Sequence, residues 1–461
     1  MTHQVRTANF RLKGRNQPLS SDDRQRWQDW FEQTFADVLD ALLDEWIEAR
    51  GFLADNTIVE LDKLTLDLGF VRMDDPVDQL VHNLRRQLQE QLVAHPPRVI
   101  APAVSRLQNY LFFLKNGFWQ LSESDSMLED FERWVFEHPE QLDDIRNMLL
   151  DSKHNKALWI RFFLQHSSVF LDRFIGNTVP IEILNAFAVH DFWVGFGERE
   201  KAFLLSYAAL VFDHRDKSLA EFISYFAAST RDLRLTLSDS QSAVKLYAYL
   251  HKAETSYESF GAAKGQIDTG LLDVVTDDDV AADDIMLNDS VMPDSVLVSH
   301  AGIVLLQPFL ERLFKNFNWL DAERKIRVES RSLAVYALHF AATGKECAPE
   351  PELLFYKAIL GLPLALPMPS SMALDNTLKQ EIEVLLQALI NHWGALKNTS
   401  INGLRETFLQ RRGSLREEAD GFTLHVEHKT LDILLQSLPW SINVIAFAWL
   451  NKPIFVDWKA S

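Results

Sequence analysis

Two histidines near the end of the chain are the pattern in the sequence that is most similar to a metal-ligand pair. His425 and His428 lie three residues apart at the end of a predicted strand. Side chains alternate between the two faces of a strand, so this odd spacing points the imidazoles in opposite directions. A transition-metal site needs ligands that converge on one point. The pattern therefore predicts no shared metal ion at this pair.

The sequence also lacks the motifs of a nucleophile or a phosphate-binding loop. Cys347 is the only cysteine, and no sequence neighbour is placed to activate it, so we expect a buried or incidental thiol. Residues 343–346 contain a Gly-Lys pair without the upstream glycine and the following Ser or Thr of a phosphate loop. The nucleophile elbow of hydrolases is missing as well. We predict that the protein is not an enzyme and uses no cofactor, metal or small-molecule substrate.

A polar run at residues 391–413 offers a candidate protein contact. Its polar and charged side chains of interest are Asn398, Arg405, Glu406 and Arg412. Arginine suits protein interfaces, and Arg405 could form a charged pair with Glu406. The alternative, which we favour, is a helix-loop-helix in which residues 398–402 satisfy helix ends. In that arrangement three apolar side chains pack inward: Leu404, Phe408 and Leu409.

An acidic block precedes the last third of the chain. Residues 265–311 contain no Lys or Arg, and nine aspartates lie between residues 268 and 294. Like charges among small side chains predict an acidic flexible linker at residues 263–299. A calcium-binding loop is the alternative. The block, however, lacks the glycine and the final glutamate of an EF-hand at their required positions.

The hydrophobic periodicity predicts a predominantly helical α+β fold. Patterns in the order strand, helix, strand, helix indicate a small N-terminal α+β domain at residues 1–100, whose first strand covers residues 4–13. Helical patterns separated by short polar turns indicate a helical domain at residues 101–262. A C-terminal α+β domain follows at residues 300–461, with helices at 332–342 and 378–396 and strands at 422–426, 442–447 and 454–458.

Composition and charge narrow the classes of partner. The chain has 461 residues, of which 47% are hydrophobic, so it can bury several cores. A net charge of −19 repels phosphate backbones, which argues against a nucleic-acid partner. The start of the chain has no apolar segment of the signal-peptide type, and no apolar run reaches the ~18 residues of a membrane span. These features predict a cytoplasmic protein that does not enter a membrane.

Several stretches in chain order resemble one known family. They are residues 58–69, 107–117, 301–314 with 391–415, and 438–445 with 454–458. Together they look like the tape measure family of phage-tail-like contractile injection systems, and the C-terminal stretches are the specific ones. The resemblance implies a component made in the cytoplasm that helps to assemble a tube-and-sheath particle and is incorporated into it or left behind.

The resemblance implies partners among other particle proteins, such as tail tube, baseplate or cap components, or a second copy of the chain. It implies control of tube length or initiation of tube assembly. A ruler should be a long rod, and a fully helical chain of this length would reach roughly 690 Å at ~1.5 Å per residue. The sequence instead predicts compact domains. Alternatives are a chaperone-like adaptor that loads cargo and an effector enzyme carried by the particle.

Overall fold

The computed structural model describes two compact units, Met1–Tyr110 and Leu111–Ser461. The described residues are 35–49, 58–60, 77–94, 98–120, 127–152, 155–178, 295–396 and 398–458, with Trp30 and Leu66. The predicted strand at residues 4–13 lies outside them. So do residues 179–262 of the predicted helical domain and residues 263–294 of the predicted linker.

The first unit pairs two helices with a two-stranded antiparallel sheet. Helix α1 (Ala36–Ala49) precedes strand β1 (Ile58–Glu60), and helix α2 (Val77–Ala94) precedes strand β2 (Arg98–Ile100). Apolar residues of α2 recur every fourth position, which places them on one face of the helix. That face packs against α1 in a small core formed by Phe35, Leu42, Trp46, Leu84, Leu88 and Leu92.

A series of short helices follows, each bounded by local signals in the sequence. Helix α3 (Pro102–Asn116) starts with a proline and ends at Gly117, whose φ of +84° is the left-handed conformation that favours glycine. Next come α4 (Met127–Glu137), α5 (Gln141–Asp151), α6 (Lys156–Gln165) and α7 (Ser168–Thr178). The side chain of Asn155 caps α6 by accepting a hydrogen bond from the Leu158 backbone at 3.0 Å.

The C-terminal part of the second unit combines helices with a mixed sheet. Its helices are α8 (Gln307–Asn316), α9 (Arg331–Thr343), α10 (Leu354–Ile359), α11 (Asn376–His392) and α12 (Ile401–Leu404). Its strands are β3 (Val296–Val298), β4 (Gly413–Glu418), β5 (Gly421–Val426), β6 (Val444–Ile445) and β7 (Ile454–Asp457). Tight 3-10 turns lie between them, among them Ala301–Leu306, Glu350–Leu353 and Thr430–Ser437.

The sheet has the strand order β3-β4-β5-β7-β6 and buries one face. All neighbouring strands are antiparallel except β5 and β7, which are parallel. Alternate residues of the strands point to the core, including Leu415, Leu424 and Ile454. The opposite face is open to solvent and carries Leu297, Val444 and Phe455. This alternation is typical of a sheet with one face on a core.

Helix α9 lies at the centre of the C-terminal core. All residues from Ala334 to Ala342 are buried, so α9 is surrounded on every side. None of the helices in the described ranges has both the length and the apolar character that crossing a membrane requires. The predominantly helical α+β prediction is confirmed.

The predicted C-terminal elements are found with small shifts at their ends. Pro308 lies in the first turn of α8. Residues 296–298, assigned from sequence to the linker, instead form β3 and pair with β4. The linker prediction fails there because Val296 and Val298 bury one face of the strand despite the acidic block before them. The four-domain division itself stays a prediction.

Candidate protein-contact site

The candidate segment folds as a short helix that widens into a π-helix. The Ser400 hydroxyl caps α12 by accepting a hydrogen bond from the Gly403 backbone at 3.0 Å. The π-helix Arg405–Leu409 continues from it. Three side chains of the segment are buried, as predicted: Leu404, Phe408 and Leu409. The helical interpretation of this segment is therefore the one that the structure supports.

The π-helix packs directly against the 3-10 turn Ala301–Leu306. A Cβ atom at Gly302 would lie 1.7 Å from the backbone oxygen of Phe408, so only glycine allows this approach. The ring of Phe408 lies 4.8 Å from that of Trp393, the residue that follows α11. Phe408 is thus packed on two sides, which anchors the middle of the candidate segment.

Arg405 is directed inward and stabilises the end of α9. It is 7% exposed, and its guanidinium donates to the backbone oxygens of Ala341 at 3.0 Å and Phe340 at 3.2 Å. A third donor reaches the Asn402 side chain at 3.2 Å. The last carbonyls of a helix have no intrahelical partner, and Arg405 supplies one. Burial lowers the pKa of Arg405 from its ordinary value.

The charged pair of Arg405 and Glu406 that the sequence suggested does not form. Among the described residues, no carboxylate lies within ion-pair distance of the Arg405 guanidinium; its hydrogen bonds go to carbonyl oxygens. Successive residues of a helix point in different directions, so Glu406 faces solvent while Arg405 faces the core. Asn398, Glu406 and Arg412 are exposed. The structure therefore leaves three of the four candidate residues open to a partner, and Arg405 supports the segment from beneath.

Arg411 has a structural role that sequence reasoning missed. It is fully buried, and its guanidinium donates to Asp432 at 2.6 Å and to the Thr407 carbonyl at 2.6 Å. The indole of Trp458 donates to the other oxygen of Asp432 at 3.1 Å. This network ties the candidate segment to Trp458, the residue that follows β7. An arginine two positions after the apolar Leu409 and two positions before the start of β4 was the available signal.

The two histidines, the cysteine and the Gly-Lys pair considered from sequence do not come together in one group. The imidazole of His425 lies 3.1 Å from Asp457 across the sheet, and that of His428 lies 3.9 Å from Asp432. The two histidines thus have different partners. Cys347 is exposed, which corrects the buried alternative, and Gly344 ends α9 with φ +74°. The Gly-Lys pair is a helix C-terminus, where carbonyls rather than amides are unsatisfied.

A different group of side chains has the donor set of a metal site. Ligand atoms of His300, His339 and Glu352 all lie within 4.8 Å of one another. The three residues come from the end of β3, the middle of α9 and the turn Glu350–Leu353. Sequence reasoning did not single them out, because 39 and 13 positions separate them along the chain. Convergence of such distant residues depends on the tertiary fold.

Comparison with known proteins gives one match that covers nearly the whole chain. The profile of the family described as contractile injection system tape measure protein matches residues 2–458. Neither the curated proteins nor the solved structures contain a significant match. The match includes both compact units and all three exposed candidate contact residues. This chain therefore belongs to the contractile injection system tape measure protein family.

Proposed function

We propose that the protein is a non-enzymatic assembly component that contacts other particle proteins through the exposed residues of the segment 398–412. The family match over residues 2–458 carries this proposal, since the family has a structural and assembly role. Asn398, Glu406 and Arg412 are exposed on a backbone that buried neighbours hold in place. A preorganised surface loses little conformational freedom when a partner binds, which favours association.

Within that role, initiation of the tube fits the fold better than a ruler of fixed length. The longest helix of the C-terminal part, α11, has 17 residues and spans about 26 Å at ~1.5 Å per residue. The described residues from 295 to 458 pack around one core, as in a compact domain. We therefore expect the protein to determine whether tubes form, through contacts with tube, baseplate or cap components.

Deletion of the protein from its native gene cluster tests this role. Electron microscopy of purified particles would measure the number of particles and the length of their tubes. Far fewer particles with normal tube lengths would support initiation, whereas a broad spread of lengths would support the ruler. Normal particles that lack cargo would identify the adaptor alternative. Particles of normal number, length and cargo would contradict an assembly role.

A triple variant tests the contact residues. Asn398→Ala, Glu406→Ala and Arg412→Ala together should leave the melting temperature unchanged and reduce the yield of particles. The matched control is Arg133→Ala, Glu137→Ala and Asn147→Ala, which removes the same side-chain types from exposed positions outside the polar run 391–413. Equal particle yields from the two triple variants would exclude the segment as a contact.

A further inference from the structure

The imidazoles of His300 and His339 meet in the interior of the second unit. Their ring centroids are 5.7 Å apart, and both rings lie beside Tyr356, at 5.8 Å and 6.0 Å. His339 is 1% exposed. His300 has φ +58°, a left-handed conformation that non-glycine residues seldom adopt. Such backbone conformations persist where the surrounding structure holds them, and they are frequent at binding sites.

One nitrogen of each imidazole already has a partner. Nε2 of His339 lies 3.1 Å from the backbone oxygen of Cys347. Burial lowers the pKa of His300, and the backbone of Glu352, which lies close enough to the ring to favour a proton on it, opposes that shift. A neutral imidazole that donates from one nitrogen presents a lone pair at the other. The backbone contacts therefore leave Nδ1 as the acceptor in both rings.

Both Nδ1 atoms are buried and have no hydrogen-bond partner among the described residues. The Tyr356 hydroxyl is also buried without a partner in that part of the chain. Buried polar atoms are nearly always satisfied, so several unsatisfied atoms in one cluster need an explanation. A metal ion that accepts an electron pair from each of the two nitrogens would satisfy both of them.

We infer that His300, His339 and Glu352 bind one divalent transition-metal ion, with Zn²⁺ as the best match. Two imidazole nitrogens and one carboxylate oxygen form a ligand set that zinc uses when a fourth position stays open. Imidazole ligands disfavour Mg²⁺ and Ca²⁺, which prefer oxygen. Metal-bound histidines usually donate their second nitrogen to a backbone carbonyl or carboxylate, and both histidines here face backbone in that way.

The metal would join three separate elements of the C-terminal core. Ligand bonds of about 2.0–2.2 Å place tetrahedral ligand atoms about 3.4 Å apart, so small side-chain rotations suffice to close the site. The ion would link the residue before the turn Ala301–Leu306 to α9 and to the turn Glu350–Leu353. Its expected effect is thermal stabilisation of the folded chain, because an ion that binds only the folded state shifts the unfolding equilibrium.

Metal binding by the full chain, purified without a histidine tag, tests the inference. The protein is stripped with a chelator, incubated with Zn²⁺ and desalted, and bound metal is measured by mass spectrometry. We expect about one Zn²⁺ per chain and a melting temperature that rises with Zn²⁺ but not with Mg²⁺. Co²⁺ substitution should give the intense visible absorption of a four-coordinate site. No retained Zn²⁺ and no change in melting temperature would overturn the inference.

Variants then identify the ligands. His300→Asn removes the imidazole but tolerates the left-handed backbone, and His339→Gln keeps a polar side chain. Each should weaken Zn²⁺ binding at least tenfold, while His392→Asn, at an exposed position, should not. Folded variants that retain Zn²⁺ like the wild type would overturn the assignment. If the variants do not fold, the Co²⁺ spectrum of the wild type decides, since a weak six-coordinate spectrum would contradict the site.

Discussion

Arg161 and Glu350 form a fully buried, bidentate ion pair, although they lie 189 residues apart in the sequence. Nε of Arg161 donates to Oε2 of Glu350 at 2.9 Å, and Nη2 donates to Oε1 at 3.1 Å. Lys357 donates to the same Oε1 at 2.6 Å. Further guanidinium hydrogen bonds reach the backbone oxygens of Leu114 and Ala365. The network fixes α6 against the C-terminal elements of its unit.

Replacing Arg161 by Met should destabilise the second unit strongly. The substitution keeps most of the buried volume but leaves Glu350 with Lys357 alone. Breaking a buried pair by removing one partner typically costs about 3–5 kcal/mol of unfolding free energy. Urea denaturation of the full chain, followed by tryptophan fluorescence, would measure the loss.

The matched control for this prediction is Arg133→Met. Arg133 forms an exposed ion pair with Asp130 at 3.1 Å, and exposed pairs contribute about 0–1 kcal/mol. The two substitutions therefore remove the same side-chain type from a buried and an exposed pair. Equal losses of stability would show that the Arg161 network does not depend on its burial.

Gly117→Ala should also destabilise this network, through the backbone. Gly117 has φ +84°, and an added Cβ would lie 2.5 Å from Oε1 of Glu350 and 3.0 Å from Nη2 of Arg161. The left-handed backbone alone costs about 1–2 kcal/mol for alanine, and displacement of the ion pair adds to it. Thermal unfolding would report a lower melting temperature.

Gly176→Ala is the control for the glycine prediction. Gly176 lies within α7, and an added Cβ would contact nothing within 4 Å. Alanine in a helix interior is favoured over glycine by roughly 0.8–1 kcal/mol, so this variant should be slightly more stable than the wild type. A Gly117→Ala protein as stable as the Gly176→Ala protein would contradict the predicted clash.

Short sequence patterns were enough to predict helices and strands that have a clear hydrophobic periodicity. Strand β5, predicted at residues 422–426, follows from the alternation of Phe422, Leu424 and Val426. Strand β4 was missed, because its only fully buried side chain is Leu415 and charged residues occupy its exposed end. Alternation cannot be read from a strand with one buried residue.

The ion pair and the metal-ligand cluster could not be found from sequence. Arg161 stands in the apolar run of α6, where a single charge indicates that a buried partner exists somewhere in the fold. Nothing near it identifies Glu350, because the two residues meet only after the helices pack. The same holds for His300 and His339. Long-range convergence depends on topology, which short patterns do not specify.

Lys357 should make stability rise with pH between about 8 and 10.5. Burial lowers its pKa from 10.5 to about 8; Glu350 opposes this shift and Arg161 adds to it. In this range the unfolded chain binds more protons than the folded chain, so the free energy of unfolding increases with pH. Below about pH 8 both states hold the proton, and the contribution of Lys357 is constant.

The difference between wild type and Lys357→Met isolates this contribution. Urea denaturation of both proteins at several pH values would give their free energies of unfolding, and other titrating groups cancel in the difference. We expect the wild type to gain stability relative to the variant across the range. A difference that is flat or declines with rising pH would contradict the depressed pKa.

Substitutions of Arg405 and Arg412 should distinguish effects on folding from effects on particle assembly. Arg405→Ala removes buried hydrogen bonds to the last carbonyls of α9, and hydrogen bonds to charged groups contribute about 1.5–3 kcal/mol each. We therefore expect a clear fall in melting temperature. Arg405→Lys should restore little, because an ammonium cannot reproduce the planar, multiply donating guanidinium. Thermal unfolding of the purified chain would measure both variants.

Arg412→Ala should have the opposite profile, because Arg412 is exposed. Surface substitutions usually change stability by less than about 0.5 kcal/mol, so the melting temperature should stay near that of the wild type. If Arg412 contacts another particle protein, the yield of assembled particles should fall in spite of normal folding. Particle counts by electron microscopy, beside the melting temperatures, decide between the outcomes. If Arg405→Ala loses more assembly than folded protein, Arg405 also acts at the contact. Normal assembly by Arg412→Ala would show that Arg412 is not part of the contact.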